Sequence, residues 1–275
     1  MSKFIFNKAY SLLKDIYLYV VSHLRRGGVI SKELFLFKED SGGLDRDKFD
    51  SLVGGEIKRV KELSKKLPSI SAIYRVKNGA EYIEAAILSV APIVKEIIVI
   101  DNGSIDETKS IIKKLQIELT SIVEIKLFEY SEKLELAGDG YLERVKNNPN
   151  GSLAKFYSYC FSLGSSDYLM KCDAHYIFTL KGICSLQEKL KYNPDVIYFS
   201  GCEIYGKELN YEPSLFRRDS GYRFVDNEKW EKLEFQNTKS IYVYTPVFLH
   251  VKRLAYIKSI SCVEMKSYID SKYNK

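Results

Sequence analysis

Apolar positions along the chain follow two periods, and the points where one gives way to the other mark out strands and helices. Residues 70–74 and 97–100 are short, largely apolar runs of the kind found in strands buried on both faces. Between them, Ile83, Ala86, Ile87 and Val90 recur at helical spacing, which predicts a helix over 80–90. The same reading gives helices at 108–115, 153–163 and 180–190, and strands at 123–130, 168–172 and 196–200. A polar loop is expected to end at 147–151, where Asn, Pro and Gly cluster. Strands alternating with helices imply right-handed crossovers and an α/β fold with a mainly parallel sheet, covered by helices on both faces.

The flanks read differently. Residues 1–68 form a helical N-terminal extension, with Leu52, Val53, Ile57, Val60 and Leu63 at roughly helical spacing and Pro68 as the stop. Residues 4–24 are rich in Phe, Leu, Ile, Tyr and Val but broken by Lys8, Lys14 and Asp15, and Arg25 and Arg26 close the segment. Those charges exclude the uniform core of a signal peptide. Two readings stay open: a peripheral membrane contact through residues 4–26, or a helix packed on the protein's own body or on a second subunit. No apolar run reaches the ~20 residues of a membrane span. After Gly201, Tyr- and Phe-rich pieces at 215–217, 222–224, 241–244 and 248–251 predict short strands in an irregular lobe. The expected division is therefore 1–68, a core over 69–200, and a lobe with a tail over 201–275.

Composition narrows the class. Of 275 residues, 45% are hydrophobic and 28% charged, which is ordinary for a globular protein. A net charge of +6 suits a polyphosphate ligand or an anionic surface, and equally a solvated basic face. No dense Lys/Arg stripe interleaves with aromatics, so no nucleic-acid partner is expected. The five cysteines lack CxxC spacing, which argues against a disulfide framework and for a reducing, cytoplasmic compartment. Should residues 4–26 meet a membrane, that compartment becomes the inner face of the cell membrane.

Candidate chemistry gathers at strand ends. In an open α/β sheet, ligands bind beyond the carboxyl ends of the strands. Asp101 ends one strand and turns through Asn102-Gly103, and Ser104 with Glu107 three residues on reads as a capping box. Asp101 can accept hydrogen bonds from a base or ribose, or can cap the turn locally. Asp173 and His175 lie two apart at another strand end, hence on one face of an extended segment, where both reach one metal ion. The imidazole tilts preference towards Mn²⁺ over Mg²⁺. His250 is either a third ligand or a satisfied core histidine. Arg217 and Arg218 either meet phosphates or form a surface pair.

The segment Tyr74-Arg75-Val76-Lys77-Asn78-Gly79, then Asp101-Asn102-Gly103-Ser104-Ile105-Asp106-Glu107-Thr108, then the strand ending Asp173-Ala174-His175, resembles family 2 glycosyltransferases of the GT-A (Rossmann-like) fold over roughly residues 69–200. The resemblance implies a metal-assisted, inverting transfer of a sugar from a UDP- or GDP-linked donor to an acceptor hydroxyl, on a surface glycan, lipopolysaccharide or lipid-linked acceptor. It implies that Tyr74, Arg75, Asn78, Asp101, Asn102 and Asp173 line the nucleotide-sugar site, and that Asp173, His175 and His250 hold Mn²⁺. His175 stands where the family's second aspartate is usual. Inversion needs a general base; Glu203 ranks first, and Asp226 and Glu228 follow. A non-catalytic nucleotide-sugar-binding or scaffold protein of the same fold is the alternative. A sugar-nucleotide pyrophosphorylase would need a Gly-rich first loop, which Asn78-Gly79 does not supply.

Overall fold

The computed structural model describes residues 46–252, apart from 204–207 and 237. The chain divides into two compact units, Met1–Gly54 and Gly55–Lys275. Of the first, only the start of helix α1 (Arg46–Ser64) is described, and the membrane-contact expectation for residues 4–26 lies outside the described residues.

The second unit is built on one eight-stranded sheet in the order β3-β2-β1-β4-β7-β6-β10-β5. Its strands are β1 (Ile70–Val76), β2 (Glu96–Asp101), β3 (Glu124–Glu129), β4 (Tyr168–Asp173), β5 (Tyr176–Phe178), β6 (Val196–Glu203), β7 (Glu212–Arg217) and β10 (Ser240–His250). A separate antiparallel hairpin joins β8 (Arg223–Asp226) to β9 (Glu231–Glu234). Strands β3, β2, β1 and β4 pair in parallel. β7 runs antiparallel between β4 and β6, which turns β6 back to the direction of β4, and β10 runs parallel to β6. β5 is antiparallel to β10. The carboxyl ends of β2, β4, β6 and β10 therefore share one edge, and their last residues are Asp101, Asp173, Glu203 and His250.

Helices cover both faces because the strands alternate two apolar sets. Ala72, Tyr74 and Val76 join Ile97, Val99, Met170 and Cys172 in one core, sealed by α2 (Ile83–Val90), α3 (Thr108–Glu118) and α6 (Leu180–Leu190). Ile73, Ile98, Ile100 and Leu169 face the other way, onto α5 (Leu153–Ser162) and Phe224 of the hairpin. A short helix, α4 (Tyr141–Asn147), lies in the stretch expected as loop.

Two further expectations change. The pieces at 241–244 and 248–251 are one strand, β10, whose register against β6 shifts between Val243 and Phe248. Pro246 falls in that gap and lacks an N–H for the ladder, so the sequence pattern breaks where the strand only bulges. The expected lobe thus supplies β7 and β10 to the main sheet. The capping box is also absent: Glu107 sits at the N-cap of α3 without a side-chain cap bond, and Asp106 Oδ1 instead accepts from Thr108 N at 3.1 Å.

Candidate active site

The first strand end is a pair of loops fastened to each other. Asp101 is buried, and its Oδ2 accepts from Ser104 N at 3.0 Å, which closes the turn through Gly103 at φ +74°. That positive φ suits glycine, which has no Cβ to clash. Ser104 Oγ accepts from Asn78 N at 2.8 Å, Thr108 Oγ1 from Gly79 N at 2.8 Å, and Asp106 Oδ2 from Ala80 N at 3.1 Å. Asn78, itself at φ +54°, accepts from Ile105 N at 2.9 Å through Oδ1. Most of the Asp-Asn-Gly-Ser-x-Asp-x-Thr motif thus builds loops. Asp101 Oδ1, by contrast, is buried and has no hydrogen-bond partner among the described residues.

The second strand end carries charge. Arg75 and Asp173 are register partners across β1 and β4, and Arg75 Nη2 donates to Asp173 Oδ1. The Arg75 side chain is only 5% exposed; its guanidinium lies 4.2 Å from the centre of the Tyr157 ring, and its Nη1 has no hydrogen-bond partner among the described residues. Burial works against Asp173 ionising, but Arg75, Lys171 and His175 outweigh it and hold the carboxyl down at about 2. His175 occupies the turn from β4 into β5, with Nε2 at 3.8 Å from Asp173 Oδ2. The pairing of β5 with β10 puts Tyr176 opposite His250, and the two imidazoles meet edge to face with ring centres 4.6 Å apart. Beyond them, His250 Nδ1 lies 3.0 Å from Glu203 Oε2.

Comparison with known proteins reads this edge. The sequence profile of "Glycosyl transferase family 2" matches residues 71–254. The chain belongs to that family. No curated protein matches it. Among solved structures it is similar to S. aureus TarS 1–349, at 12% identity and TM-score 0.49, over 69% of this chain and 62% of that one. The mannosyltransferase PcManGT from Pyrobaculum calidifontis in complex with GDP-Man and Mn²⁺ is similar at 13% identity and TM-score 0.45, over 73% and 66% of the respective chains. A third is glucosyl-3-phosphoglycerate synthase from Mycobacterium tuberculosis in complex with Mn²⁺, UDP and phosphoglyceric acid, at 18% identity and TM-score 0.34, over 54% and 47%. The chain thus spans about three fifths of the TarS chain it resembles, 62%. Its sheet is that of the GT-A fold.

Whether a family 2 glycosyltransferase edge of this composition can take a divalent ion is a question of donors. Two donors bonded to one ion at ~2.1 Å can lie up to about 4.2 Å apart. Asp173 Oδ2 and His175 Nε2, at 3.8 Å, fall within that span. Burial, reinforced by His250 and only partly opposed by Asp173, lowers the His175 pKa to about 4, so its imidazole is neutral at neutral pH with a lone pair to give. Among the described residues no three such side chains already surround one point. An ion here would meet two protein donors, Asp173 and His175, with the His250 imidazole beside them.

Several residues lie away from this edge or serve other tasks. Tyr74 is wholly buried on the sheet face opposite Arg75, and its hydroxyl donates to Ala86 O at 3.0 Å, tying β1 to α2. Asn102 uses its amide to donate to the carbonyls of Tyr130 and Glu132, each at 3.0 Å. Asp226 accepts from Tyr141 Oη, from Ser152 Oγ at 2.6 Å and from Ala154 N at 3.1 Å, a clamp on the start of α5. Glu228 is exposed. Arg217 pairs with Asp219 at 2.7 Å beside Tyr168, about 17 Å of strand from Asp173. A shallow cavity lined by Tyr168, Asn193, Arg217 and Arg218 sits at that amino edge, away from the chemistry.

The sequence reading missed Glu231. At the start of β9 it is half-buried; burial raises its carboxyl pKa, and the charges of Lys171 and Arg75 pull it only partly back. No periodic signal marks it, because its position is set by the hairpin folding onto α5.

Proposed function

We propose that this protein transfers a sugar from a nucleoside-diphosphate donor, UDP- or GDP-linked, to an acceptor hydroxyl on a glycan or lipid-linked acceptor, with inversion. The observation that carries the reading is the convergence of Asp101, the Arg75–Asp173 pair, His175 and His250 along one carboxyl edge. Asp101 Oδ1 accepts a base N–H, since it is a buried acceptor lacking a partner. Arg75 pairs with Oδ1 and keeps Asp173 ionised, with Oδ2 on the side of His175. Asp173 and His175, with His250 beside them, would hold a divalent ion, Mn²⁺ by the mixture of oxygen and nitrogen donors. Such an ion supplies neutralisation of the departing diphosphate. Inversion requires a carboxylate to take the acceptor proton. Glu231 suits that task better than Glu203 or Asp226, since it is partly exposed and its raised pKa brings it closer to neutral pH.

The test is a thermal-shift series of the full chain with UDP- and GDP-sugars, with and without Mn²⁺, followed by assay of nucleotide release. One donor class should raise the melting temperature only with metal, and Asp173→Ala should abolish the effect. No stabilisation and no release across the donor panel would sink the reading and favour a non-catalytic protein of this fold.

A further inference from the structure

Glu203 and His250 end neighbouring parallel strands 47 positions apart in sequence, yet they are register partners with side chains on one face. The carboxylate is 7% exposed and the imidazole 15%. Their facing atoms, Oε2 and Nδ1, stand 3.0 Å apart, off the hydrogen-bond angle, and neither has another hydrogen-bond partner among the described residues. A buried carboxylate oxygen left without a donor is costly, and His250 can supply one as an Nδ1–H from 3.0 Å away. With Nδ1 so engaged, the nitrogen left for any ligand is Nε2. On its other side the ring meets His175 edge to face, at 4.6 Å between centres.

We infer that Glu203 is a positioning residue: it holds His250 as the Nδ1–H tautomer and so reserves Nε2 for the cation bound with Asp173 and His175. Metal-binding histidines commonly donate their second ring N–H to a carboxylate, which fixes tautomer and ring orientation. The inference rests on the cation reading above for its purpose, but the tautomer itself is a property of the metal-free protein.

The test uses the full chain with ¹⁵N-labelled histidine; with three histidines in the sequence, His250→Gln assigns the signal. Long-range ¹H–¹⁵N spectra without metal should show His250 as the Nδ1–H tautomer. Glu203→Leu should shift it towards Nε2–H, and Glu203→Gln, which keeps an acceptor oxygen, should restore much of the original state. Mn²⁺ titrations followed by electron paramagnetic resonance should show affinity reduced about 10- to 100-fold in Glu203→Leu, with partial recovery in Glu203→Gln. An unchanged tautomer in Glu203→Leu, or equal Mn²⁺ affinity in Glu203→Leu and wild type, overturns the positioning role. A wild type that binds no Mn²⁺ but shows the Glu203-dependent tautomer overturns the cation reading instead, and leaves the Glu203–His250 coupling standing.

Discussion

Arg75 and Asp173 are register partners on adjacent strands and are ion-paired beneath the Tyr157 ring, so the sheet itself delivers a fixed cation to the site carboxylate. Removing one member of a buried pair leaves the other charge uncompensated. Arg75→Met should therefore destabilise the fold by about 3 kcal/mol, measured by urea denaturation. Arg75→Lys should recover less than half of it, because an ammonium lacks the planar face that lies against Tyr157.

Asp101 makes one turn bond and keeps one oxygen free. Asp101→Asn preserves an acceptor for Ser104 N and replaces the free oxygen by an NH₂ donor. The melting temperature should move little, while nucleotide affinity falls by roughly 1–3 kcal/mol, the cost of mispairing a buried polar group. Calorimetric titration with UDP and GDP checks this.

Asp173→Asn and His175→Ala each remove a donor from the proposed ion; Asp173→Asn also leaves buried Arg75 without its partner and should lower stability, so its turnover is compared at a temperature where the variant is folded. Turnover should drop about 10²- to 10³-fold, the scale of losing one stabiliser of developing charge. Metal-dependent stabilisation by nucleotide should vanish in both variants. Retention of full turnover in either would assign the ion elsewhere.

Glu231→Gln keeps the size of the side chain but cannot take a proton. A general base contributes roughly 10²- to 10⁴-fold, so kcat should fall within that range with KM for the donor nearly unchanged. The matching change at Asp226 should instead lower stability, because Asp226 clamps the start of α5 through Ser152 and Ala154.

Glu96 gives a pH dependence separate from the site. Its carboxylate is 1% exposed and accepts from Lys126 Nζ at 2.8 Å and from Ser165 N at 2.7 Å. Burial opposes its ionisation, yet Lys126, Ser71 and Ser165 outweigh it and lower the pKa from 4.5 to about 2. Stability from this group is therefore present above about pH 4.5 and is lost as pH falls towards 2, amounting to about 3 kcal/mol. Glu96→Gln should be less stable at pH 7 and should lose less on acidification, as read by denaturation at pH 7, 4 and 3.

The sequence carried the sheet well where both faces of a strand are apolar. Residues 97–100 were legible as a strand because nothing polar interrupts them, and the structure extends that strand only to Glu96–Asp101. Asp173 and His175 stood out in the sequence as an Asp-x-His at a strand end, but β4 ends at Asp173 and His175 lies in the turn that follows, so the turn and not a shared strand face brings them to 3.8 Å. What could not be read depended on distant pairing. Tyr74 and Arg75 are neighbours, and the face each takes is fixed by α2 on one side and Tyr157 on the other. Helix α4 is seven residues with few apolar positions, too short for periodicity to stand out. Glu231 gains its environment from a hairpin that only the folded chain brings against α5.

The hydrogen bonds from Asn78, Gly79 and Ala80 to Ser104, Thr108 and Asp106 make two loops into a single stiff lip. On the proposed reading, a donor arriving there would meet a surface already shaped, so little ordering of backbone would accompany capture, and more of the contact energy would remain as affinity. Encounter with the nucleotide end of the donor would then be governed by diffusion and charge rather than by the closing of a flap.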